Sequence, residues 1–184
     1  IIISNITTYS KEQFIYTSIS KNEGLASTVN CIYKEKDGEI WIGSPKGLYT
    51  FNGYDLKRHN DTLFLNRSIY KMEEDIKGGT WVLTDNWVMY KRKGEERFTH
   101  MKAESPYKEP PFYSICQDEE GIWFGSQGLI YRYTYKDERL YLFSELQGRK
   151  DFFCSYLNKV NDNMLLCCSN YGSLLIDTAT GKIT

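Results

Sequence analysis

The sequence predicts an all-β fold assembled from a repeated unit of four short antiparallel strands, and three observations predict it. Trp41, Trp81 and Trp123 recur at intervals of 40 and 42 residues, each preceded by an acidic or glycine-containing turn. Hairpin signals such as Asp37-Gly38 and Asn52-Gly53 punctuate the chain. The runs between these turns are short and rich in β-branched and aromatic residues, as strands require. Four such strands in about 40 residues match the size and strand count of a β-propeller blade. The chain therefore predicts about four β-propeller blades, read as an arc of a larger propeller, with closure into a four-bladed ring as the alternative.

Taken in order, Ile1–Tyr9 and Gln13–Ser18 read as the last two strands of a preceding blade, which assigns residues 1–20 to that blade. Residues 21–60 form the next. Its inner strand surrounds Tyr33, Asp37-Gly38 turns into the strand Glu39–Gly43, and the turn Ser44–Gly47 leads into Leu48–Phe51. Asn52-Gly53 then precedes Tyr54–Arg58. Residues 61–100 repeat the pattern, with Ile69–Asp75 ahead of Thr80–Thr84. Residues 101–145 do so again, with Tyr113–Asp118, Gly121–Gly125, Leu129–Tyr135 and Arg139–Phe143. Residues 146–184 form an incomplete blade in which Leu165 takes the tryptophan position by spacing, Ser173–Asp177 is a third strand, and Lys182–Thr184 begins a fourth. A single blade cannot bury both of its faces, so the repeated tryptophans are expected to fill the space between adjacent blades.

Composition narrows the function. The chain has 184 residues with 23 Lys+Arg against 24 Asp+Glu, a net charge of −1, which does not suit a nucleic-acid binder. Its aromatic content of 15% and hydrophobic content of 41% place it among folded domains. No apolar run approaches the length of about 18 residues needed for a membrane helix. Five cysteines, Cys31, Cys116, Cys154, Cys167 and Cys168, include no C-x-x-C pair and read as small buried hydrophobes; adjacent Cys167 and Cys168 point to opposite faces of a strand.

The residues Gly24-Leu25, Asp37-Gly38, Ile40-Trp41-Ile42-Gly43-Ser44 and Gly47-Leu48-Tyr49 together resemble the two-component regulator propeller repeat. That repeat builds the extracytoplasmic sensor region of hybrid two-component system histidine kinases in polysaccharide-degrading gut bacteria. The copy at Trp123 is similar but lacks the Gly-Leu lead-in. The copy at Trp81 carries Trp87-Val88 where the first has Gly47-Leu48, and the fourth has no tryptophan. The resemblance implies a noncatalytic, periplasmic sensor segment without cofactor, which senses carbohydrate or relays its binding to a kinase. It also implies an oligosaccharide ligand, a homodimer in the full-length receptor, no nucleic-acid partner, and membrane attachment only through a segment outside this chain.

His59 and His100, the only histidines, have no phosphoacceptor context, and no phosphate-binding glycine loop is present. The acidic clusters Glu35/Asp37/Glu39, Glu73/Glu74/Asp75 and Asp118/Glu119/Glu120 recur at the same turn of successive repeats. That placement suits solvated turns better than a single carboxylate pair of a glycosidase. No side chains stand at metal-ligand spacing. The candidate ligand-binding residues lie on the loops that join the second and third strands, at one rim of the propeller: Lys46, Asp85, Asn86, Trp87, Gln127, Asn170 and Tyr171. Trp87 has two readings: an exposed indole that stacks on a sugar, or the start of a third strand packed between blades. The rival functions are a protein-interaction propeller scaffold without a small-molecule ligand, and a carbohydrate-active propeller enzyme.

Overall fold

In the computed structural model, which describes residues 24–25, 28–36, 38–146 and 152–184, every regular element is a β-strand. The expected end of a preceding blade at residues 1–20 and the turn residue Asp37 lie outside the described residues. The first sheet has strands β1 (Cys31–Lys34), β2 (Ile40–Ser44), β3 (Gly47–Phe51) and β4 (Leu56–Arg58) in sequence order. The second has β5 (Ile69–Glu74), β6 (Thr80–Thr84), β7 (Val88–Lys91) and β8 (Thr99–Met101) in the same order. The third contains β10 (Phe112–Gln117), β11 (Gly121–Ser126), β12 (Leu129–Thr134) and β13 (Arg139–Glu145). The short β9 (Ala103–Glu104) runs parallel to β13 at its outer edge. The fourth has β14 (Cys154–Asn161), β15 (Met164–Ser169) and β16 (Gly172–Asp177). Beyond β16, Thr184 N–H donates to the Leu175 carbonyl and Leu175 N–H returns the bond, each 2.9 Å, so a further strand begins there. All pairings except that of β9 are antiparallel, as hairpin connections of this length dictate. The fold is the all-β arrangement of propeller blades that the repeat predicts.

Successive sheets meet through their first strands, β1 against β5, β5 against β10 and β10 against β14, which line the axis of the arc. The tryptophans fill the gaps between sheets. Trp41 packs with Ile69, Met72, Val82 and Met89 of the second sheet. Trp81 joins Phe124, Tyr131 and Tyr133 of the third, and Trp123 joins Leu157, Leu165 and Ile176 of the fourth. Register corrects one assignment. The tryptophans stand three residues before Ser44, Thr84 and Ser126, so the equivalent in β15, counted from Ser169, is Leu166 rather than Leu165. A shift of one residue along a strand moves a side chain to the other face. Leu165 is buried towards the third sheet, while Leu166 lies on the far face with Tyr156, Cys168 and Leu175. On that face Tyr156 is 50% and Leu175 37% exposed. Cys167 and Cys168 fall on opposite faces as expected, and all five cysteines are free thiols.

The acidic turns do more than face solvent. Trp81 Nε1–H donates to Asp75 Oδ2 at 2.8 Å, and Asp75 Oδ1 accepts the Gly79 and Lys77 amides at 2.8 and 2.9 Å. Asp118 repeats the device: Trp123 Nε1–H donates to Oδ2 at 2.9 Å, and the Glu120 and Gly121 amides both donate to Oδ1 at 3.0 Å. In the first sheet Glu39 Oε2 takes the Trp41 indole N–H at 3.1 Å. Asp75 is buried and the Asp118 side chain only 9% exposed, so both anchor an indole and its hairpin rather than standing as solvated turn residues. Gly121 belongs to the same hairpin, where a Cβ would stand 1.9 Å from the Tyr133 carbonyl oxygen.

Asp118 is also gripped by Arg132, whose Nη2 and Nη1 donate to its two oxygens at 2.7 and 3.1 Å, with Lys159 Nζ at 3.5 Å. Burial raises the Asp118 pKa, but the Arg132 and Trp123 hydrogen bonds outweigh it and bring the pKa down to about 2. A carboxyl with a folded pKa below its unfolded value stabilises the fold above the unfolded pKa and loses that contribution as pH falls towards 2. Stability in urea is expected to drop by about 2 kcal/mol between pH 5 and pH 2 from this group. Asp118→Asn should lack that component of the acid-induced loss, and an unchanged pH profile in that variant would refute the assignment.

Candidate functional site

The turns between the second and third strands of each sheet form one rim, and three of the four are built alike. Ser44 Oγ donates to the Gly47 carbonyl at 2.9 Å and accepts the Lys46 amide at 3.0 Å. Thr84 Oγ1 donates to the Trp87 carbonyl at 3.0 Å and accepts the Trp87 amide at 2.9 Å. Ser169 Oγ donates to the Gly172 carbonyl at 2.8 Å and accepts the Tyr171 amide at 3.1 Å. A hydroxyl one atom from the backbone substitutes for a main-chain partner and fixes the turn, leaving its two central side chains to vary. In the third sheet Ser126 Oγ turns instead to the Pro111 carbonyl at 2.7 Å. This fastens the proline-containing connection before β10 to the rim.

The candidate residues fall into three groups along this rim. Lys46 is exposed; its carbonyl accepts Arg58 Nη2 at 2.7 Å, and the same nitrogen donates to Asn66 Oδ1 at 3.1 Å. Asp85, Asn86 and Trp87 gather around Arg67, whose Nη1 donates to Asn86 Oδ1 at 2.6 Å and lies 3.8 Å from Asp85 Oδ1. The Arg67 guanidinium carbon stands 3.3 Å from the centre of the Trp87 ring. The His100 ring stacks on the same indole, with centroids 4.7 Å apart and planes inclined by 26°. His100 Nε2 is 3.0 Å from Glu109 Oε2, and Glu109 Oε1 accepts the Ala103 amide at 2.9 Å. Trp87 thus has Arg67 and His100 against its ring and packs on the core between the first and second sheets. Its geometry is that of a packed residue that orders the rim.

The third group spans the third and fourth sheets. Gln127 bridges to Phe153 through its backbone, and Asn170 Oδ1 accepts the Phe153 amide at 2.9 Å. Tyr171 is exposed and lies nearly parallel to Phe152, with centroids 6.3 Å apart. Gln127 and Asn170 are therefore brought together on either side of Phe153, whereas Lys46 stands with a separate polar cluster. Sequence reasoning did not single out Arg67, His100 with Glu109, or Phe153. Arg67 and Phe153 sit in connections outside the strand pattern, and their roles arise only when neighbouring blades come together. Tyr70 and Tyr113 carried a readable signal, since they occupy the same position in successive repeats, next to the buried Ile69 and Phe112.

Sheets of three to five mainly antiparallel strands, packed face to face through their tryptophans around an axis and topped by a variable rim, are the blades of a β-propeller. Residues 23–46 and 106–128 match the family described as two component regulator propeller, and the chain carries that repeat. The extracellular domain of a hybrid two component system from B. thetaiotaomicron is similar at 21% identity with a TM-score of 0.64, over 86% of this chain and 21% of that one. A second such domain from the same organism shows 16% identity and a TM-score of 0.71, over 90% of this chain and 24% of that one. The chain thus spans between a fifth and a quarter of the length of these domains. Virginiamycin B lyase from Staphylococcus aureus has the same fold at 18% identity and a TM-score of 0.61, over 85% of this chain and 54% of that one. Among curated protein sequences none matches. One fold is shared here by sensor domains and an enzyme, so function must be argued from the site.

Proposed function

We propose that this chain is a noncatalytic, extracytoplasmic sensor segment of a two-component regulator, which recognises a carbohydrate at its propeller rim or relays that binding to a kinase. The observation that carries the reading is the contrast within each repeat. The Ser/Thr hydroxyl that closes the turn is kept in the first, second and fourth sheets, while the side chains it presents differ: Lys46, Asp85 and Asn86, then Asn170 and Tyr171. Gln127 stands in the corresponding turn of the third sheet. A set of amide, carboxylate, ammonium and phenol groups on a fixed scaffold suits the hydroxyl-rich surface of a sugar. The repeats at residues 23–46 and 106–128 support the regulator assignment. In this reading the receptor is periplasmic and dimeric.

One observation favours the competing reading of a protein-interaction scaffold: the ring contacts of Arg67 and His100 with Trp87 occupy the indole that a rim-bound sugar would stack on. Thermal denaturation in the presence of oligosaccharides separates the two. A sensor should gain about 2.7 kcal/mol at a ligand concentration a hundredfold above Kd, read as a rise of several degrees in Tm. No shift with any glycan favours the scaffold, and turnover of a glycan by the chain would overturn both.

A further inference from the structure

In the first three sheets an acidic residue of the turn between the first and second strands accepts a tryptophan indole N–H: Glu39 from Trp41, Asp75 from Trp81 and Asp118 from Trp123. The fourth sheet has no tryptophan to hold, since Leu166 takes that position. Its first two strands carry two cysteines instead, Cys154 in β14 and Cys167 in β15.

Register places these two thiols side by side. Cys154 pairs with Ser169 as Ile69 pairs with Thr84 and Phe112 with Ser126, and a shift of register follows each pair. Cys167 stands two residues before Ser169, as Val82 and Phe124 stand two before Thr84 and Ser126. In the third sheet the side chains at these two positions meet, with the Phe112 and Phe124 ring centres 6.2 Å apart. In the second, Ile69 and Val82 belong to one buried cluster. The fourth sheet puts a thiol at each position, both 0% exposed and in one core cluster. The Cys167 thiol donates to Cys154 Sγ, which lowers the Cys154 pKa and raises that of Cys167. Cys168 lies on the opposite face of β15.

We infer that Cys154 and Cys167 are a disulfide pair, which closes when the chain folds in an oxidising compartment and ties β14 to β15 where the indole clasp is missing. The inference rests on the extracytoplasmic reading above, since a reducing cytosol keeps both thiols. Closure removes two protons and two electrons, and a small-molecule disulfide such as oxidised glutathione accepts them. One thiolate attacks that disulfide, which forms a mixed disulfide and releases one thiol; the second thiolate then displaces the other. Both sulfurs are buried in a cluster shared by the third and fourth sheets, so the exchange precedes the packing of these sheets on each other. The finished bond is then shielded from reductants, and it restricts the unfolded chain.

The test refolds the reduced, unfolded 184-residue chain in a buffer of reduced and oxidised glutathione and, in parallel, in excess reductant. Free thiols are alkylated under denaturing conditions, and non-reducing tryptic mapping by mass spectrometry reads the pairing. Cleavage after Lys159 separates Cys154 from Cys167, so the expected result is one joined pair of peptides with Cys31, Cys116 and Cys168 alkylated. Cys168→Ser should keep the joined pair and Cys167→Ser should lose it. The linked parent is expected to melt several degrees above its reduced form, a difference absent from Cys167→Ser. Should Cys167→Ser fail to fold, fragmentation of the joined peptides from the parent locates the linked sulfurs. Alkylation of both Cys154 and Cys167 after refolding in glutathione overturns the pair, as does a link from either to Cys116 or Cys168. A linked chain that melts no higher than the reduced one overturns the bond as a substitute for the clasp. The buffer supplies the oxidant whatever compartment the chain occupies, so failure here counts against the pair and leaves the extracytoplasmic reading standing.

Discussion

Trp81→Ala is expected to cost about 3–5 kcal/mol of folding stability, the largest loss from any single side chain of the second sheet. Two physical terms combine there. Trp81 is 0% exposed and packs against Phe124, Tyr133 and Tyr90, with the Tyr90 ring stacked 4.1 Å away, so truncation leaves a cavity between two sheets. It also removes the indole N–H that pairs with Asp75 Oδ2 in a buried setting. Trp81→Phe separates the two terms, since it fills most of the space and removes only the hydrogen bond; a loss of about 1–3 kcal/mol is expected. Urea denaturation followed by far-UV circular dichroism measures both variants. A loss below about 1 kcal/mol in Trp81→Ala would show that the sheets hold together without this contact.

Asp118→Ala should cost a similar amount, about 3–5 kcal/mol, for an electrostatic reason. Arg132 is buried, with its guanidinium 4.2 Å from the Trp123 ring centre, and Asp118 supplies both oxygens of its pair. Removing the carboxylate leaves a cation out of water without its partner, and orphans the Trp123 indole and the Gly121 amide. The double variant Asp118→Ala/Arg132→Met removes the stranded charge and should recover part of the loss. It is therefore expected to be more stable than Asp118→Ala alone, a sign of coupling that additive contacts do not produce. A double variant less stable than either single one would place the cost in packing instead of charge.

Much of the fold was legible in the chain because its signals are local. The spacing of Trp41, Trp81 and Trp123, the glycine turns and the short apolar runs each report on a few neighbouring residues. Repetition then multiplied a weak signal into a strong one. Legibility failed where one residue of register mattered: spacing alone puts Leu165 in the tryptophan position of the fourth unit, but the turn at Ser169 sets Leu166 there. It failed again at Asp75 and Asp118, which read as solvated turn residues because nothing in a local acidic turn reveals that an indole N–H will reach back to it.

The rim divides in the same way. The turns carrying Lys46, Asp85, Asn86, Gln127, Asn170 and Tyr171 were identifiable as equivalent loops from the repeat alone. That Arg67 and His100 lie against Trp87, and that Tyr113 meets both Tyr70 and Phe153, depends on neighbouring sheets or on connections between them. By itself, then, the sequence determined the repeat, the strand pattern and the turns, since these follow from backbone propensity and alternation over a few residues. Only the tertiary structure decided which carboxylates are buried, which indole is covered and which aromatics meet. Burial and pairing across tens of residues arise from how one blade packs on the next, which no local pattern encodes.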